Sequence, residues 1–482
     1  MDGHYKRVIQ TRDRLNEIGR GFCLMKWMTV TLYLHMGDNH SCYHPRPHKI
    51  RKSDIKNDPS GLHNTAYKKK RRKEMLSGKR PAECYYCWNI EDLPGEHISD
   101  RMIHSASDYA LPELDRVAKL PWDANINPRH IEVSFGNACN FKCGYCCPQA
   151  SSSWMAEIQR FGDYDITTNQ YSIDFLKNSE FYHPGDENPY VEAFWKWWPD
   201  LKRDLRVFRI TGGEPLMNPN TMKLLEGIDA DPLPHLQLHC NSNLGVSHPV
   251  FKKFADKVAK IVSEKKVKNF RLFTSIDTWG PRAEYIRYGL NCSLWEQNMR
   301  YYLETVPDAR INFMCTFNVL SVASFQSLLE KIIEWRTEYS PNDRSSVQRI
   351  NFDTPYLKEP PHWMINILPE SFLAYMDKTL NFMIEHRRGP NFRAGFDEVE
   401  IQKFKRIKDY MQMNPVKPEI IRNGRRDFFV FFNEYDRRRG TSFTSVFPEY
   451  ADFMKLCEEV YNQSKGRTMN SFRNLISKLV GL

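Results

Sequence analysis

The stretch Cys139-Asn-Phe-Lys-Cys143-Gly-Tyr-Cys146 constrains this chain more than any other. Three cysteines fall within eight residues as C-x3-C-x2-C, and no fourth completes the spacing. Three thiolates bind three corners of a four-iron cluster, whereas ordinary ferredoxin runs supply four and finish the coordination. One iron is then left for a substrate or cofactor. Ile131, Val133 and Phe135 ahead of the loop alternate as a strand does, and Ser151-Ser-Ser-Trp154 behind it suits a helix N-cap. Buried thiols or part of a zinc site are the competing reading, but zinc favours paired C-x2-C knuckles with four ligands.

From residue 130 the chain alternates short apolar runs with amphipathic stretches. Strands are expected at 130–136, 206–211, 235–241, 270–276, 310–318 and 347–354. That alternation predicts an α/β fold, a parallel sheet closed wholly or partly into a (β/α)6 TIM-like barrel. Residues 163–190 are polar and read as an insertion or loop, and 192–198 as the helix feeding the second strand, its tryptophans packing on the sheet. In parallel barrels the chemistry sits at the carboxyl ends of the strands. The cysteine loop follows the first strand, Thr211-Gly212-Gly213-Glu214-Pro215 the second, Cys240-Asn241-Ser242-Asn243 the third and Thr274-Ser275-Ile276-Asp277 the fourth. Paired glycines let backbone approach closely, a carboxylate beside them can pair with an ammonium group, and the short polar side chains can bond hydroxyls or cap helices.

In this order the motifs resemble the radical S-adenosylmethionine (SAM) superfamily. The resemblance implies a cluster on Cys139, Cys143 and Cys146 whose open iron binds the methionine amino and carboxylate groups, and a 5′-deoxyadenosyl radical formed when one electron splits the sulfonium. It also implies cofactor contacts from Tyr145 beside adenine, from Gly212, Gly213 and Glu214 at the methionine amine, and from Asn243, Ser275 and Asp277. Arg287, within Glu284-Tyr-Ile-Arg287-Tyr288, matches an arginine that could clamp a carboxylate, or else is a solvent-facing helix residue. A reductant such as a flavodoxin or ferredoxin is implied as partner. Cys147 departs from the pattern, which usually has no cysteine there.

Cys23, Cys42, Cys84 and Cys87 form a second group, C-x18-C-x41-C-x2-C. With Cys23-Leu-Met-Lys-Trp27 and Glu83-Cys84-Tyr-Tyr-Cys87 they resemble the twitch or SPASM-type auxiliary cluster segment. Lys26 stands where that segment tends to have proline, and Cys42-Tyr43 where adjacent cysteines are frequent. An auxiliary four-iron cluster is the first reading. A structural zinc is the second, since Cys84-x2-Cys87 is a good knuckle and His40, His44 and His48 surround Cys42.

Twelve cysteines, eight of them clustered, argue for metal ligation in a reducing compartment over disulfides. No apolar run reaches bilayer length and the first residues lack a signal-peptide core, so a cytoplasmic protein without membrane contact is expected. The net charge of +10 raises a nucleic-acid partner, but its densest run, Lys68 to Lys73, reads as the solvated face of a helix. Beyond residue 368, apolar spacing at 369–388, 396–413 and 447–460 predicts helices, and Arg437 to Arg439 read as a solvated helix end. The expected division is a cysteine-rich auxiliary-cluster domain over 1–127, a radical SAM partial barrel over 128–367 and a helical appendage over 368–482. The expected function is abstraction of hydrogen from a substrate, a peptide or protein being the first guess. The rivals are a zinc-stabilised basic binding protein without catalysis, and a cofactor-binding barrel whose clusters only relay electrons.

Overall fold

The computed structural model describes residues 3–177, 180–183, 185–339, 348–390 and 392–480, with side chains from 5 to 465. Eleven strands are found among them: β1 (Thr29–Tyr33), β2 (Asp38–His40), β3 (His48–Lys49), β4 (His130–Ser134), β5 (Lys142–Cys143), β6 (Val207–Thr211), β7 (Leu233–Ser242), β8 (Val267–Ser275), β9 (Arg287–Tyr288), β10 (Ile311–Met314) and β11 (Ile350–Asp353). Nine form one sheet in the order β11-β10-β8-β7-β6-β4-β1-β2-β3, while β5 pairs with β9 in a separate two-stranded ladder. The large sheet is mostly parallel: the β1–β4, β4–β6, β6–β7, β8–β10 and β10–β11 pairings are parallel, while β1–β2 and β2–β3 are antiparallel.

All six expected strands are present, each within a few residues of its expected bounds. Three further strands of the large sheet, β2, β3 and β1, come from the cysteine-rich segment and were not expected; the innermost is β1. It pairs in parallel with β4, Val30 opposite Ile131 and Leu32 opposite Val133. Its residues are almost wholly buried, the pattern of a strand covered on both faces.

The chain divides into two compact units. The first comprises Met1–Ala138, Glu180–Asn241 and Asp256–Arg271; the second comprises Cys139–Ser179, Ser242–Ala255 and Leu272–Leu482. In the first unit, Leu15, Phe22, Leu24, Trp27, Met28 and Met75 form a buried core against which Cys23, Cys42 and Cys84 pack. Burying each large apolar side chain contributes roughly 1.5–3 kcal/mol, so this cluster is what gathers the cysteine-bearing segments. The helix Pro189–Asp204 opens on Asn188, whose side chain accepts from the amides of Tyr190 and Val191, and it buries Phe194, Trp197 and Trp198 as expected.

In the second unit, helices occupy Leu373–Glu385, Glu398–Met413 and Ala451–Val480, matching the expected helical run. A further helix, Pro418–Arg439, was not expected as such. Phe428, Phe431, Phe432 and Tyr435 give it a buried stripe, but its first turns are polar and carry Gly424, which blurs the periodicity. Its end corrects one reading: Arg437 is exposed, but the Arg438 and Arg439 side chains are each only 1% exposed and both face Glu157, at 3.8 and 2.8 Å. No helix among the described residues is long and apolar enough to cross a membrane.

Candidate active site and a second cysteine centre

The cysteine loop is held at almost every backbone position by its own unit. The Cys139 amide donates to Ser152 Oγ at 3.1 Å, and Ser153 Oγ donates to the Cys139 carbonyl at 2.6 Å. Ser151 does double duty, donating to the Phe141 carbonyl at 2.8 Å and capping the helix Ser152–Phe161 through the Trp154 amide. Trp154 in turn donates from Nε1 to the Cys143 carbonyl at 2.9 Å. The β5–β9 ladder sets Cys143 opposite Arg287. Gly144 fits only as glycine, because a Cβ there would meet the Trp363 ring at 2.3 Å.

Around this loop, three of the expected cofactor residues form one buried network. Tyr145 Oη donates to Asp277 Oδ2 at 2.8 Å, and Arg287 bonds both the Tyr145 hydroxyl and Asp277 Oδ1, the latter at 3.0 Å. Arg287 Nη1 also lies 3.4 Å from Cys143 Sγ, and the Thr316 amide donates to Asp277 Oδ1 at 2.9 Å. Burial pushes the Asp277 carboxyl up, while the Arg287 guanidinium, 2.9 Å from Oδ2, works the other way. Arg287 is therefore a buried residue, not the solvent-facing one that was the alternative. Asn243 Nδ2 lies 2.9 Å from Asn140 Oδ1 and 3.9 Å from Cys139 Sγ, and Ser275 ends β8 in register with Met314.

Cys139, Cys143 and Cys146 are all half-buried, as is Cys147. Burial pushes the Cys143 thiol up, while the positive Arg287 works the other way. A hydrogen bond between Cys146 and Cys147 raises the first thiol and lowers the second, to about 7. Three thiols on a loop braced through its main chain are a donor set that fits a four-iron cluster with one open position.

In the first unit, Gly212 and Gly213 do allow close approach, though the partner is the chain itself. Gly212 has φ +134°, and a Cβ on Gly213 would lie 2.4 Å from the Ala138 carbonyl oxygen. The Gly213 and Glu214 amides donate to the carbonyls of Gly136 and Ala138 at 3.1 and 2.7 Å. Glu214 is buried, and one carboxylate oxygen accepts from the Leu216 amide at 3.0 Å.

The same unit gathers Cys23, Cys42, Cys84 and Cys87 around one cavity, which Met25, His44, Trp88, Asp100, Arg101 and His104 also line. Three segments supply the sulfurs, and burial raises every one of these thiols, Cys84 to about 12 and Cys87 to about 11. Of the three histidines near Cys42, only His44 reaches the cavity. It is committed to Asp100 at 2.6 Å and stacks on Tyr86 at 3.7 Å, whereas His40 and His48 face Tyr33 and Thr65. Among the described residues no three His, Cys, Asp or Glu side chains meet at single-ion spacing. Four thiols nonetheless line one cavity.

Sequence reasoning missed Trp154, Tyr171 and Trp363, all buried against the loop; Tyr171 donates to the Gly144 carbonyl at 3.1 Å. Trp154 was read only as part of the helix start and Trp363 only as part of a loop after the last strand; Gly144, pressed against Trp363, is the signal that ties the latter to the cysteine loop.

No family model matches the chain. It is 31% identical over 103 residues to the GTP 3′,8-cyclase of Trichodesmium erythraeum, covering 21% of this chain and 24% of that protein. It is 22% identical over 216 residues to the GTP 3′,8-cyclase of Sulfurimonas denitrificans, covering 43% and 55%. A third GTP 3′,8-cyclase, from Microcystis aeruginosa, is 26% identical over 99 residues, covering 20% and 22%. The chain thus spans from about a fifth to just over half the length of the curated relatives it matches. These relatives are radical SAM enzymes, and the similarity is consistent with an enzyme of that kind.

Proposed function

We propose that this chain is a radical SAM enzyme acting through Cys139, Cys143 and Cys146. A four-iron cluster held by these three thiolates would supply one electron to break the S–C5′ bond of SAM, giving methionine and a 5′-deoxyadenosyl radical that would take hydrogen from the substrate. The observation that carries the reading is the three-thiol loop braced on its main chain, with the buried Arg287 guanidinium 3.4 Å from Cys143 Sγ. A cation beside a thiol favours the ligating thiolate.

In this reading, Tyr145, Asp277 and Arg287 hold the loop in shape, since a buried ionic pair with a shared hydroxyl leaves little freedom to the residues that carry it. Glu214 takes the methionine amine, Gly212 and Gly213 shape the strand end, and Asn243 and Ser275 offer short polar groups to the cofactor. The parallel strands from β4 to β11 form the partial (β/α)6 barrel. The four N-terminal cysteines hold an auxiliary cluster of the twitch or SPASM type.

A polypeptide is the first substrate class, because an open barrel leaves a lateral mouth and the basic surface favours an acidic partner. A nucleotide is the second, favoured by what the relatives' name says they act on. Anaerobic reconstitution with a 5′-deoxyadenosine assay tests the chemistry; no 5′-deoxyadenosine from an iron-loaded, reduced protein sinks it. Deuterated peptides encoded by neighbouring genes, set beside deuterated nucleotides, test the substrate. Label appearing in 5′-deoxyadenosine only from nucleotides overturns the polypeptide reading and leaves the radical chemistry standing.

A further inference from the structure

The antiparallel β5–β9 ladder places Arg287 directly opposite Cys143, and beside it the Gly144 amide donates to the Ile286 carbonyl at 2.8 Å. Backbone pairing therefore sets the guanidinium against one thiol of the loop, with Nη1 3.4 Å from Cys143 Sγ. The other two nitrogens are committed as well. Nε lies 2.9 Å from Asp277 Oδ2, and Nη2 donates to Asp277 Oδ1 at 3.0 Å and to the Tyr145 hydroxyl. Asp277 is anchored in turn by Tyr145 Oη and by the Thr316 amide, at 2.8 and 2.9 Å. The Arg287 and Asp277 side chains are 5% and 0% exposed, so solvent ions screen neither charge to any extent.

The cysteines of the loop differ in what faces their sulfurs. Cys139 Sγ accepts from neutral groups, the Phe141 amide at 3.5 Å and Asn243 Nδ2 at 3.9 Å, whereas Cys143 Sγ faces a full positive charge. Hydrogen bonds and charge at the ligating sulfurs set the reduction potential of an iron–sulfur centre. A cation held against one sulfur favours the form with one more electron, and a carboxylate held against that cation opposes it. The thiol itself feels both: burial raises Cys143, Arg287 lowers it and Asp277 raises it again. An arginine engaged at every nitrogen is also not free to clamp the carboxylate of a cofactor, the role its motif suggests.

We propose that Arg287 and Asp277 are a tuning pair for the catalytic centre: Arg287 raises the reduction potential of a four-iron cluster held by Cys139, Cys143 and Cys146, and Asp277 offsets part of that effect. The inference rests on the radical SAM reading given above and adds a task to residues that reading uses only to shape the loop. Both are positioning residues that act through Cys143, and neither touches the cofactor or the substrate. A buried ion pair contributes little net stability, so its place beside a ligating sulfur is accounted for by what its charges do there. Tyr145, bonded to both partners, holds the carboxylate and the guanidinium at a fixed separation.

The test is a redox titration of the full chain after anaerobic reconstitution, followed by electron paramagnetic resonance. The signal that changes when SAM is added reports the catalytic cluster and separates it from any centre on the N-terminal cysteines. Asp277→Asn is expected to move the reduction equilibrium of that signal about tenfold toward the reduced form, or about 59 mV, and Arg287→Met to move it about as far toward the oxidised form. Arg287→Lys keeps the charge but not the reach to the sulfur, and is expected to fall between wild type and Arg287→Met. Opposite signs from the two partners of one ion pair are not what a merely structural pair would give, since losing either would then disturb the loop alike. If Arg287→Met does not fold, Asp277→Asn and Arg287→Lys decide. Potentials that stay unmoved, or that move in the same direction on loss of either partner, overturn the inference and leave the radical reading standing. So does an unmoved potential in Arg287→Lys with a tenfold loss of SAM affinity by calorimetry, which would return Arg287 to the carboxylate clamp. Absence of any iron–sulfur signal that responds to SAM overturns the radical reading and this inference with it.

Discussion

The two cysteine groups are assembled by opposite routes. Cys139, Cys143 and Cys146 lie on one short loop, and their placement is local: a capping serine, a two-residue ladder and a glycine pressed against Trp363. Cys23, Cys42, Cys84 and Cys87 come from three segments of the first unit, brought together by a buried core and surrounded by buried charge. A site on one loop is specified by spacing; a site gathered from several segments is specified by everything that packs them. The first should therefore tolerate damage elsewhere in the fold, and the second should not.

The largest expected effect separates the two groups. Replacing Cys139, Cys143 and Cys146 together by alanine is expected to abolish 5′-deoxyadenosine formation while the N-terminal cysteines keep their metal, the iron count falling from about eight to about four if both sites hold four-iron clusters. Loss of all iron would show that the sites are not independent.

A smaller effect is expected at the clamp on the loop. Arg287→Met strands the buried Asp277 carboxylate, costing about 3–5 kcal/mol of stability on chemical denaturation of the metal-free chain. Arg287→Lys keeps the charge but loses the fork that meets Asp277 and Tyr145 at once, so it should recover only part of this. Equal stability of all three proteins would remove the clamp from the account.

Glu214→Gln keeps the shape of the side chain and removes its charge. Cofactor binding measured by calorimetry should weaken by about 1.5–3 kcal/mol. Unchanged affinity would reduce Glu214 to the helix-capping role that its bond to the Leu216 amide already gives it.

The smallest effect concerns acid. Burial pulls His130 and His239 of the first unit and His362 of the second from 6.5 down to about 3. Each stays neutral when folded, while the unfolded chain takes up a proton near 6.5. Their contribution is therefore complete above that pH and is lost as pH falls toward 3, at up to about 1.4 kcal/mol per pH unit for each histidine. Neither ring nitrogen of His362 has a partner among the described residues, so His362→Phe should flatten the slope of stability against pH by one proton without forfeiting a hydrogen bond. An unaltered slope would show that this ring is protonated when folded.

What could be read from sequence follows the same division. The loop, the six strands and the capping role of Ser151 were legible because each is written within a few consecutive residues. Pairing of β1 with β4 was not, because it joins segments about a hundred residues apart and a strand buried on both faces has no alternation to give it away. Lys68 and Arg72 of the helix Ala66–Leu76 are buried but looked like solvent residues, because composition carries no sign of which helix face turns inward. Tyr145, Asp277 and Arg287 were each chosen as cofactor contacts, and their bonds to one another depend on a fold that single motifs do not encode.

The parallel pairing of β1 with β4 also limits how this protein can be divided for study. A fragment starting near residue 128, the boundary that composition suggests, would strip β1 from β4 and expose a row of unpaired amides and carbonyls along Ile131 and Val133. Such an edge invites pairing with a second copy of itself. The cysteine-rich segment is thus also the sheet's own protection against aggregation, and a protein shortened to its cofactor-binding strands should be harder to keep in solution than the whole chain.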